Sequence, residues 1–457
     1  MPDKNLARPA GYLYGRAMGT ACIRVALATL VSALALGAPA KAGEQVSAPT
    51  ISIKADSLTD AEAVAARHGV TVERAFAWID WYELTVPAGT TDARNFAADV
   101  SYEPEVRAVD AVAPGERLTP QFQPRDAFWG QFFISPSTNQ NVDAQWHLVK
   151  ANFPSAFDVS TGANVQMGII DSEFATDHTD LSPKVRNPYS TASGTAEYHT
   201  GNVKDNGRQS WHGSHVAGIA AAVTDNGVGG SGAGFDATFV PVKVSTSFEP
   251  GSGNPVDGNF VTDLTEALGY MMNQNVAVVN MSLGTTRSHQ PLADAIAALK
   301  NKGVTIVVSA GNFQQSQPNA PIYPASYPGA IAVANTTIDD AINPSSSNGS
   351  WVDIAAPGTE IVAPMDAGAV GVRPTAFAFP QQNPQAYDIL SGTSMAAPVV
   401  TGLVALMKSK RPDLTPDEVE TILKGTAKDL GSAGPDPQFG AGRIDAAAAV
   451  NAAAAYV

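Results

Sequence analysis

The sequence predicts an α/β protein: a parallel sheet with helices on both faces, preceded by a small α+β unit. The chain has 457 residues, enough for two domains and a large core. From about residue 143, short apolar runs alternate with stretches of helical periodicity, which is typical of a parallel sheet covered on both faces. Asp171 and Asn312 each follow a predicted strand, where the functional residues of such sheets collect.

Residues 1–42 have the pattern of an export signal. Basic residues lead into an apolar run, Val25–Leu36, and Ala40 and Ala42 place small side chains at the two positions that a signal peptidase reads. The run is too short to span a bilayer as a helix, so we expect cleavage after Ala42, no stable membrane anchor thereafter, and secretion into the periplasm or the medium. The alternatives are an uncleaved anchor and a translation start at Met18.

The single cysteine, Cys22, comes before the apolar run of the signal. A lipoprotein cysteine would follow that run, so lipid attachment is not expected. After cleavage the exported chain would contain no cysteine, and therefore no disulfide and no thiolate metal site. The formal net charge of −15 argues against a nucleic-acid partner, because such a partner favours a basic surface.

Residues 43–118 are predicted to form the small α+β unit as a separate domain. Alternating runs indicate strands, and a dense run of alanines that ends at a glycine indicates a helix. The predicted elements are a strand at Ile51–Asp56, a helix at Ser57–Gly69, a strand pair within Val72–Val86, a helix at Thr91–Val100 and a strand at Val106–Val112. A break at Pro114–Pro120 then opens a linker and N-terminal segment, residues 119–142.

Residues 143–457 are predicted to form the larger α/β domain. Apolar runs indicate buried strands at Val165–Ile170, Phe239–Val244, Val276–Asn280, Val304–Ser309 and Ala330–Ala334. Helical stretches are Asp263–Asn273, Leu292–Lys302, Ser394–Lys410 and Asp445–Ala455. Pro398 is expected in the first turn of the third of these helices, where a missing backbone donor costs little.

Asp171, His212 and Ser394 have the chemistry of an acid, a base and a nucleophile. A serine hydroxyl is a poor nucleophile near neutral pH and needs an adjacent base. A histidine supplies that base, and an aspartate fixes its tautomer and stabilises the imidazolium. The order along the chain is informative, because an α/β-hydrolase places its histidine after its serine, whereas the last histidine here is His289.

Five short segments, with acid, base and nucleophile in this order, resemble the catalytic domain of the subtilisin family of serine proteases. They are Gly168–Asp171, His212–Gly218, Asn280–Gly284, Ser309–Asn312 and Gly392–Pro398. Residues 43–118 are similar to that family's folding propeptide. The resemblance implies a subtilisin-like fold with a ferredoxin-like propeptide. It also implies a secreted serine endopeptidase that forms an acyl-enzyme on Ser394 and is made as a self-processing zymogen.

The resemblance further implies which residues contact a peptide substrate. The backbone N–H of Ser394 and the side chain of Asn312 would form the oxyanion hole. Two backbone segments would wall a roomy apolar pocket for the residue before the scissile bond. They consist of Ser282, Leu283 and Gly284, and of Ser309, Ala310 and Gly311. Gly251–Gly253 would pair with residues further upstream, or form a plain flexible loop.

Two positions depart from the family pattern. Glu173 stands where the family usually has a glycine, and Ser214 replaces a commoner threonine. We expect Glu173 to add a charge and reshape the turn after the acid. His215 would share a helix face with His212, but zinc is not expected, because no cysteine is available and no glutamate completes a His-Glu-x-x-His pattern. His215 is therefore predicted to be a packed structural residue.

The glycine-rich segment Gly227–Gly232 matches the letters of a dinucleotide-binding loop. Such a loop follows a strand and precedes a helix, whereas the predicted order here is reversed, so nucleotide binding is rejected. The segment resembles the family's calcium-binding loop instead. The implied oxygen ligands are Asp180, Asn226 and the carbonyls of Val228 and Gly230. A plain glycine-rich turn is the alternative.

The predicted partners are a peptide or protein substrate and the chain's own propeptide, acting as an intramolecular inhibitor. No cofactor is required for the chemistry, and calcium would be structural. Two other functions remain open: a peptide ligase or macrocyclase that uses the same acyl-enzyme, and a non-catalytic pseudoprotease that only binds peptides. Self-cleavage is expected within residues 113–130, with Leu118 or Phe122 at the junction.

Overall fold

The computed structural model describes residues 50–76, 81–87, 96, 100–101, 103–111, 124–193, 197–204, 212–244, 260–366, 377–379 and 385–456. The chain divides into two compact units, Met1–Arg117 and Leu118–Val457. Several predictions fall outside the described residues. They are the export signal, the break at Pro114–Pro120, the junction candidates Leu118 and Phe122, and the Gly251–Gly253 segment.

The first unit is an antiparallel sheet with a helix packed against it. Its elements are β1 (Thr50–Ala55), α1 (Leu58–Arg67), β2 (Val72–Phe76), β3 (Trp81–Thr85) and β4 (Val106–Ala111). The strand order β2-β3-β1-β4, with each pair antiparallel, matches the predicted ferredoxin-like arrangement. Ser57 starts α1, because its hydroxyl accepts the backbone N–H of Asp60. Most of the helix predicted at Thr91–Val100 lies outside the described residues, although Phe96 and Val100 are buried in this core.

The second unit is built on strands that alternate with helices. Its first elements are β5 (Phe132–Ile134), β6 (Asn141–Asp143), α2 (Trp146–Lys150), α3 (Phe153–Phe157), β7 (Gln166–Asp171), β8 (Tyr189–Ser190), α4 (His212–Ala221), β9 (Thr238–Lys243), α5 (Phe260–Met271) and β10 (Val278–Met281). Then come α6 (Gln290–Asn301), β11 (Thr305–Ser309), β12 (Ala330–Thr336), β13 (Ile354–Pro357), β14 (Ile361–Met365), β15 (Phe377–Phe379), β16 (Gln385–Leu390), α7 (Thr393–Lys410), α8 (Pro416–Thr426) and α9 (Ala446–Ala455).

The main sheet of this unit is parallel throughout and runs in the order β13-β12-β11-β10-β7-β9-β8. Alternate residues of one strand enter different cores. Val307 of β11 belongs to the same apolar core as residues of α3, α4, α7, α8 and α9, whereas its neighbours Ile306 and Val308 belong to the core that contains α5 and α6. Since successive side chains point to opposite faces, helices cover both faces, and the predicted fold class is confirmed.

In the second unit, the two edge strands of the main sheet, β8 and β13, and the strands outside that sheet were not predicted. β14, β15 and β16 form a separate antiparallel sheet, in the order β14-β16-β15. Pro364 lies inside β14, and a proline within an apolar run argues against a strand from sequence alone. Among the described residues, no helix combines the length and the apolar character needed to cross a membrane.

Candidate active site

The carboxyl ends of three neighbouring strands bring the predicted site residues together. In the sheet register, Ile170 of β7 lies beside Met281 of β10, which lies beside Val308 of β11. Asp171, Ser282 and Ser309 each come one residue later, so they emerge at the same edge. This edge is where an open parallel sheet positions functional groups.

Asp171 and His212 form the acid–base pair that the sequence predicts. His212 Nδ1 lies 2.7 Å from Asp171 Oδ1, and the Asp171 side chain is fully buried while that of His212 is 27% exposed. The same carboxylate oxygen accepts the backbone N–H of Ser172 at 2.7 Å. Because a carboxylate only accepts, Nδ1 carries the imidazole proton and Nε2 is left as the acceptor that a general base needs.

The helix that carries the base is fixed directly to the loop that carries the acid. His212 begins α4, and the next backbone N–H, from Gly213, donates to the Ser172 hydroxyl at 3.2 Å. A Cβ on Gly213 would lie 2.6 Å from the carbonyl oxygen of Glu173, so only glycine permits this approach. Glu173 itself is buried, at 3% exposure. The turn therefore accommodates the unusual glutamate while its backbone holds α4 in place.

Ser394 is the second residue of α7, which packs against α4. Its hydroxyl donates to the Ser282 carbonyl oxygen at 3.2 Å, and its backbone N–H has no acceptor among the described residues. Asn312 is clamped beside it, because Asn312 Oδ1 accepts the backbone N–H of Thr393 at 3.0 Å. Since Oδ1 is held in this way, Nδ2 is the end of the amide that can donate to a ligand. It lies 3.2 Å from the position that a Cβ on Gly392 would occupy. Two N–H donors thus converge at the start of α7, where the helix dipole adds positive potential.

The space between the two predicted pocket walls is filled by Ile322, which is fully buried. An ideal Cβ on Gly284 would lie 2.8 Å from Ile322 Cγ2, and one on Gly311 would lie 3.0 Å from Ile322 Cγ1. Thr285 and Tyr323 exchange backbone hydrogen bonds of 2.7 and 2.8 Å, which hold Ile322 in place. The expectation of a roomy pocket is therefore wrong: a branched side chain closes its floor. The sequence carried no signal for this, since Ile322 belongs to neither wall segment and only folding brings it between them.

Two of the predicted calcium ligands, Asp180 and Asn226, are in contact, and a further buried carboxylate lies beside them. Asp180 Oδ1 accepts from Asn226 Nδ2 at 2.8 Å, and burial raises the pKa of Asp180 to about 7. Asp126, which the sequence analysis missed, is also buried, and burial raises its pKa. Two buried carboxylates supply the hard oxygen donors that calcium prefers, so this part of the donor set fits the ion. Two details do not fit. Asn226 Oδ1 accepts the backbone N–H of Val228 at 2.7 Å, so its amide must turn to become a ligand. Both Asp126 oxygens already accept protein donors, namely the backbone N–H groups of Asp225 and Asn226 and the Ser231 hydroxyl.

His215 is fully buried and lies 3.1 Å, through Nε2, from the carbonyl oxygens of both Ile361 and Asp388. Those carbonyls belong to β14 and β16, so His215 ties α4 to the small sheet. Burial lowers the pKa of His215 to about 4. Its contacts are those of a packed structural residue.

Comparisons with known proteins identify the family that this chain is similar to. The model of the subtilase family matches residues 162–442. An extracellular protease of Xanthomonas campestris pv. campestris is 31% identical over 79% of this chain, and the chain spans 62% of that protein's length. Thermitase of Thermoactinomyces vulgaris is 32% identical over 67% of this chain and 95% of its own. A solved protease structure from Pseudoalteromonas arctica is 28% identical, covers 70% of this chain and 99% of its own, and has a TM-score of 0.57.

Proposed function

Because the chain belongs to the subtilase family, we propose that it is a serine endopeptidase that hydrolyses peptide bonds through an acyl-enzyme on Ser394. The observation that carries this proposal is the 2.7 Å hydrogen bond between Asp171 and His212 at the sheet edge where α7 presents Ser394. The names of the relatives, an extracellular protease and thermitase, support the same activity.

The geometry supports a sequence of steps by this chain's own residues. The Ser394 hydroxyl turns away from the Ser282 carbonyl and gives its proton to His212 Nε2 as its oxygen attacks the substrate carbonyl. Asp171 stabilises the resulting imidazolium. Asn312 Nδ2 and the Ser394 N–H donate to the oxyanion. His212 then returns the proton to the leaving amine, and a water molecule, activated by the same imidazole, releases the acyl group.

The direct test is the reaction of Ser394 with a fluorophosphonate probe and its loss in Ser394→Ala. We expect Ser394→Ala to abolish labelling and to reduce peptide hydrolysis by roughly 10⁶-fold, because the triad acts as a unit. Ser432→Ala, at an exposed serine, is the matched control and should label normally. Labelling at another residue would overturn the assignment, and products that are only joined or cyclic would indicate a ligase.

We also propose that the protein is exported and processes itself, with the first unit serving as folding aid and inhibitor. The ferredoxin-like sheet of that unit and the extracellular location named for the Xanthomonas relative support this. Full-length Ser394→Ala should accumulate as an uncleaved precursor, whereas the N-terminus of the parent, the protein without this substitution, should lie within residues 113–130. N-terminal sequencing of both proteins decides the matter, and a start upstream of residue 100 would contradict the proposal.

A structural calcium ion is proposed at Asp126, Asp180 and the Val228 and Gly230 carbonyls. When bound, it would neutralise two buried carboxylates that otherwise repel each other, and it would take no part in the chemistry. Calcium added to metal-free protein should raise the unfolding temperature and bind stoichiometrically in calorimetry. Asp180→Asn should remove both effects, whereas Asp339→Asn, at an exposed aspartate, should keep them. No calcium-dependent shift in the parent would refute the site.

A further inference from the structure

Pro398 deprives one backbone carbonyl of α7 of its helical N–H donor. It is the sixth residue of the helix, beyond the first turn in which the sequence analysis placed it. Within an α-helix each backbone N–H donates to the carbonyl four residues earlier. Pro398 has no N–H, so the carbonyl that loses its helical partner is that of Ser394, the proposed nucleophile.

The Ser282 hydroxyl takes the place of the missing donor. Ser282 Oγ donates to the Ser394 carbonyl oxygen at 2.8 Å, and the Ser394 hydroxyl donates to the Ser282 carbonyl at 3.2 Å. The two residues therefore hold each other through both backbone carbonyls. Ser282 comes directly after β10, so this exchange fixes the start of α7 to the end of a sheet strand.

A buried chain of polar groups sets the direction of the Ser282 hydroxyl. Asn280 Nδ2 donates to Ser282 Oγ at 3.0 Å, and the Thr401 hydroxyl donates to Asn280 Oδ1 at 2.9 Å. Since the hydroxyl of Ser282 already accepts from the amide, its own proton is free to go to the Ser394 carbonyl. Asn280 and Thr401 are fully buried and Ser282 is 2% exposed, so water offers little replacement.

We propose that Ser282 is a positioning residue whose hydroxyl replaces the helical N–H removed by Pro398 and so holds Ser394 in register with His212. This rests on the proposed function for its catalytic consequence. The hydrogen-bond exchange itself is a property of the fold. Ser282→Ala keeps the backbone that walls the substrate pocket but leaves the Ser394 carbonyl buried without a donor. Pro398→Ala restores an N–H in the helix and makes the Ser282 hydroxyl redundant.

The test is a double-variant cycle of Ser282→Ala and Pro398→Ala, measured by the rate of fluorophosphonate labelling and by kcat and KM. In the parent, Ser282→Ala should lower kcat and the labelling rate by roughly tenfold, with little change in KM. On the Pro398→Ala background the same substitution should change both by less than about twofold, because alanine supplies the donor. Ser409→Ala is the control: it deletes a serine bond to a backbone carbonyl, that of Ala163, at the far end of α7, and should not alter the rates.

The same cycle of four proteins, each also carrying Ser394→Ala in the full-length chain, measures the effect on stability in the absence of catalytic activity. Their thermal unfolding should show the same rescue: Ser282→Ala destabilises the parent but not Pro398→Ala. If the Ser282→Ala protein does not accumulate while the double variant does, that difference also shows that Pro398→Ala compensates for the loss of the Ser282 hydroxyl. Equal effects of Ser282→Ala on both backgrounds would overturn the proposal. A parent enzyme that never labels would overturn the proposed function and the positioning role, leaving the stability cycle as a separate result.

Discussion

At the scale of single residues, Ile322 is positioned to limit the size of the substrate residue that the proposed pocket would accept. Its side chain lies against both Gly284 and Gly311, whose lack of a Cβ would otherwise leave an open slot. A substrate residue entering between those walls meets a β-branched side chain at the floor of the pocket. We therefore expect the enzyme to cleave after small residues such as alanine.

Ile322→Ala should shift this preference towards large side chains. The substitution removes three carbons from the floor, so kcat/KM for a peptide with phenylalanine before the scissile bond should rise, relative to one with alanine, by roughly tenfold. The measurement compares two peptides that differ only at that residue. Ile338→Ala, at an isoleucine 38% exposed, is the control and should leave the ratio unchanged. A parent that already prefers phenylalanine would contradict the occluded pocket.

The residues of the site differ in how far the sequence could reveal them. Asp171, His212 and Asn312 were predictable because their chemistry depends on residue type within short, distinctive segments. Ile322 and Asp126 were not, because each acts through a position that only folding defines. Ile322 reaches the pocket from the segment after the second wall, and Asp126 reaches Asn226 across about 100 residues of sequence.

At the scale of elements, the contact between the acid loop and α4 sets the geometry of the pair. Gly213 lies so close to the Glu173 carbonyl that a Cβ would overlap it at 2.6 Å. Both partners are backbone, so neither can move aside without displacing Asp171 or His212. The glycine thus fixes the distance between the two elements.

Gly213→Ala should therefore reduce kcat on the order of 100-fold, because a displacement of about 1 Å in a reacting group has effects of that size. Gly425→Ala is the matched control. Gly425 lies inside α8 with open space around its Cβ position, so alanine there should leave kcat unchanged and slightly stabilise the helix. Steady-state kinetics on both variants make the comparison. An unchanged kcat in Gly213→Ala would show that the acid–base distance tolerates this shift.

The parallel strands were predictable, whereas the small sheet was not. β7, β10 and β11 consist mainly of apolar residues, because both of their faces are covered by helices. β14 contains Pro364, and β16 mixes polar with apolar residues, so neither resembles a buried strand. Their pairing depends on partners distant in sequence, among them His215, whose imidazole bonds both strands.

At the scale of the whole molecule, two buried histidines of the second unit have lowered pKa values, and one of them links two layers. His215 joins α4 to the small sheet, and His147 of α2 is 1% exposed, with neither ring nitrogen bonded to a described residue. Burial lowers the pKa of His147 to about 3 and that of His215 to about 4. In the unfolded chain both would titrate near pH ~6.5, so acid favours the unfolded state.

His215→Gln should therefore flatten the pH dependence of stability. Between pH 6.5 and 4 the unfolded parent holds a proton on His215 that the folded parent does not. The free energy of unfolding is fully retained above that window and falls with decreasing pH inside it, by about 1.4 kcal/mol per pH unit for this residue. Urea unfolding of phosphonate-inhibited parent and variant, at half-unit pH steps, measures the difference in slope. The raised pKa of Asp180 acts in the opposite direction, but equally in both proteins, so it cancels. Identical slopes would mean that His215 takes up its proton without unfolding and that its two carbonyl contacts do not require the neutral ring.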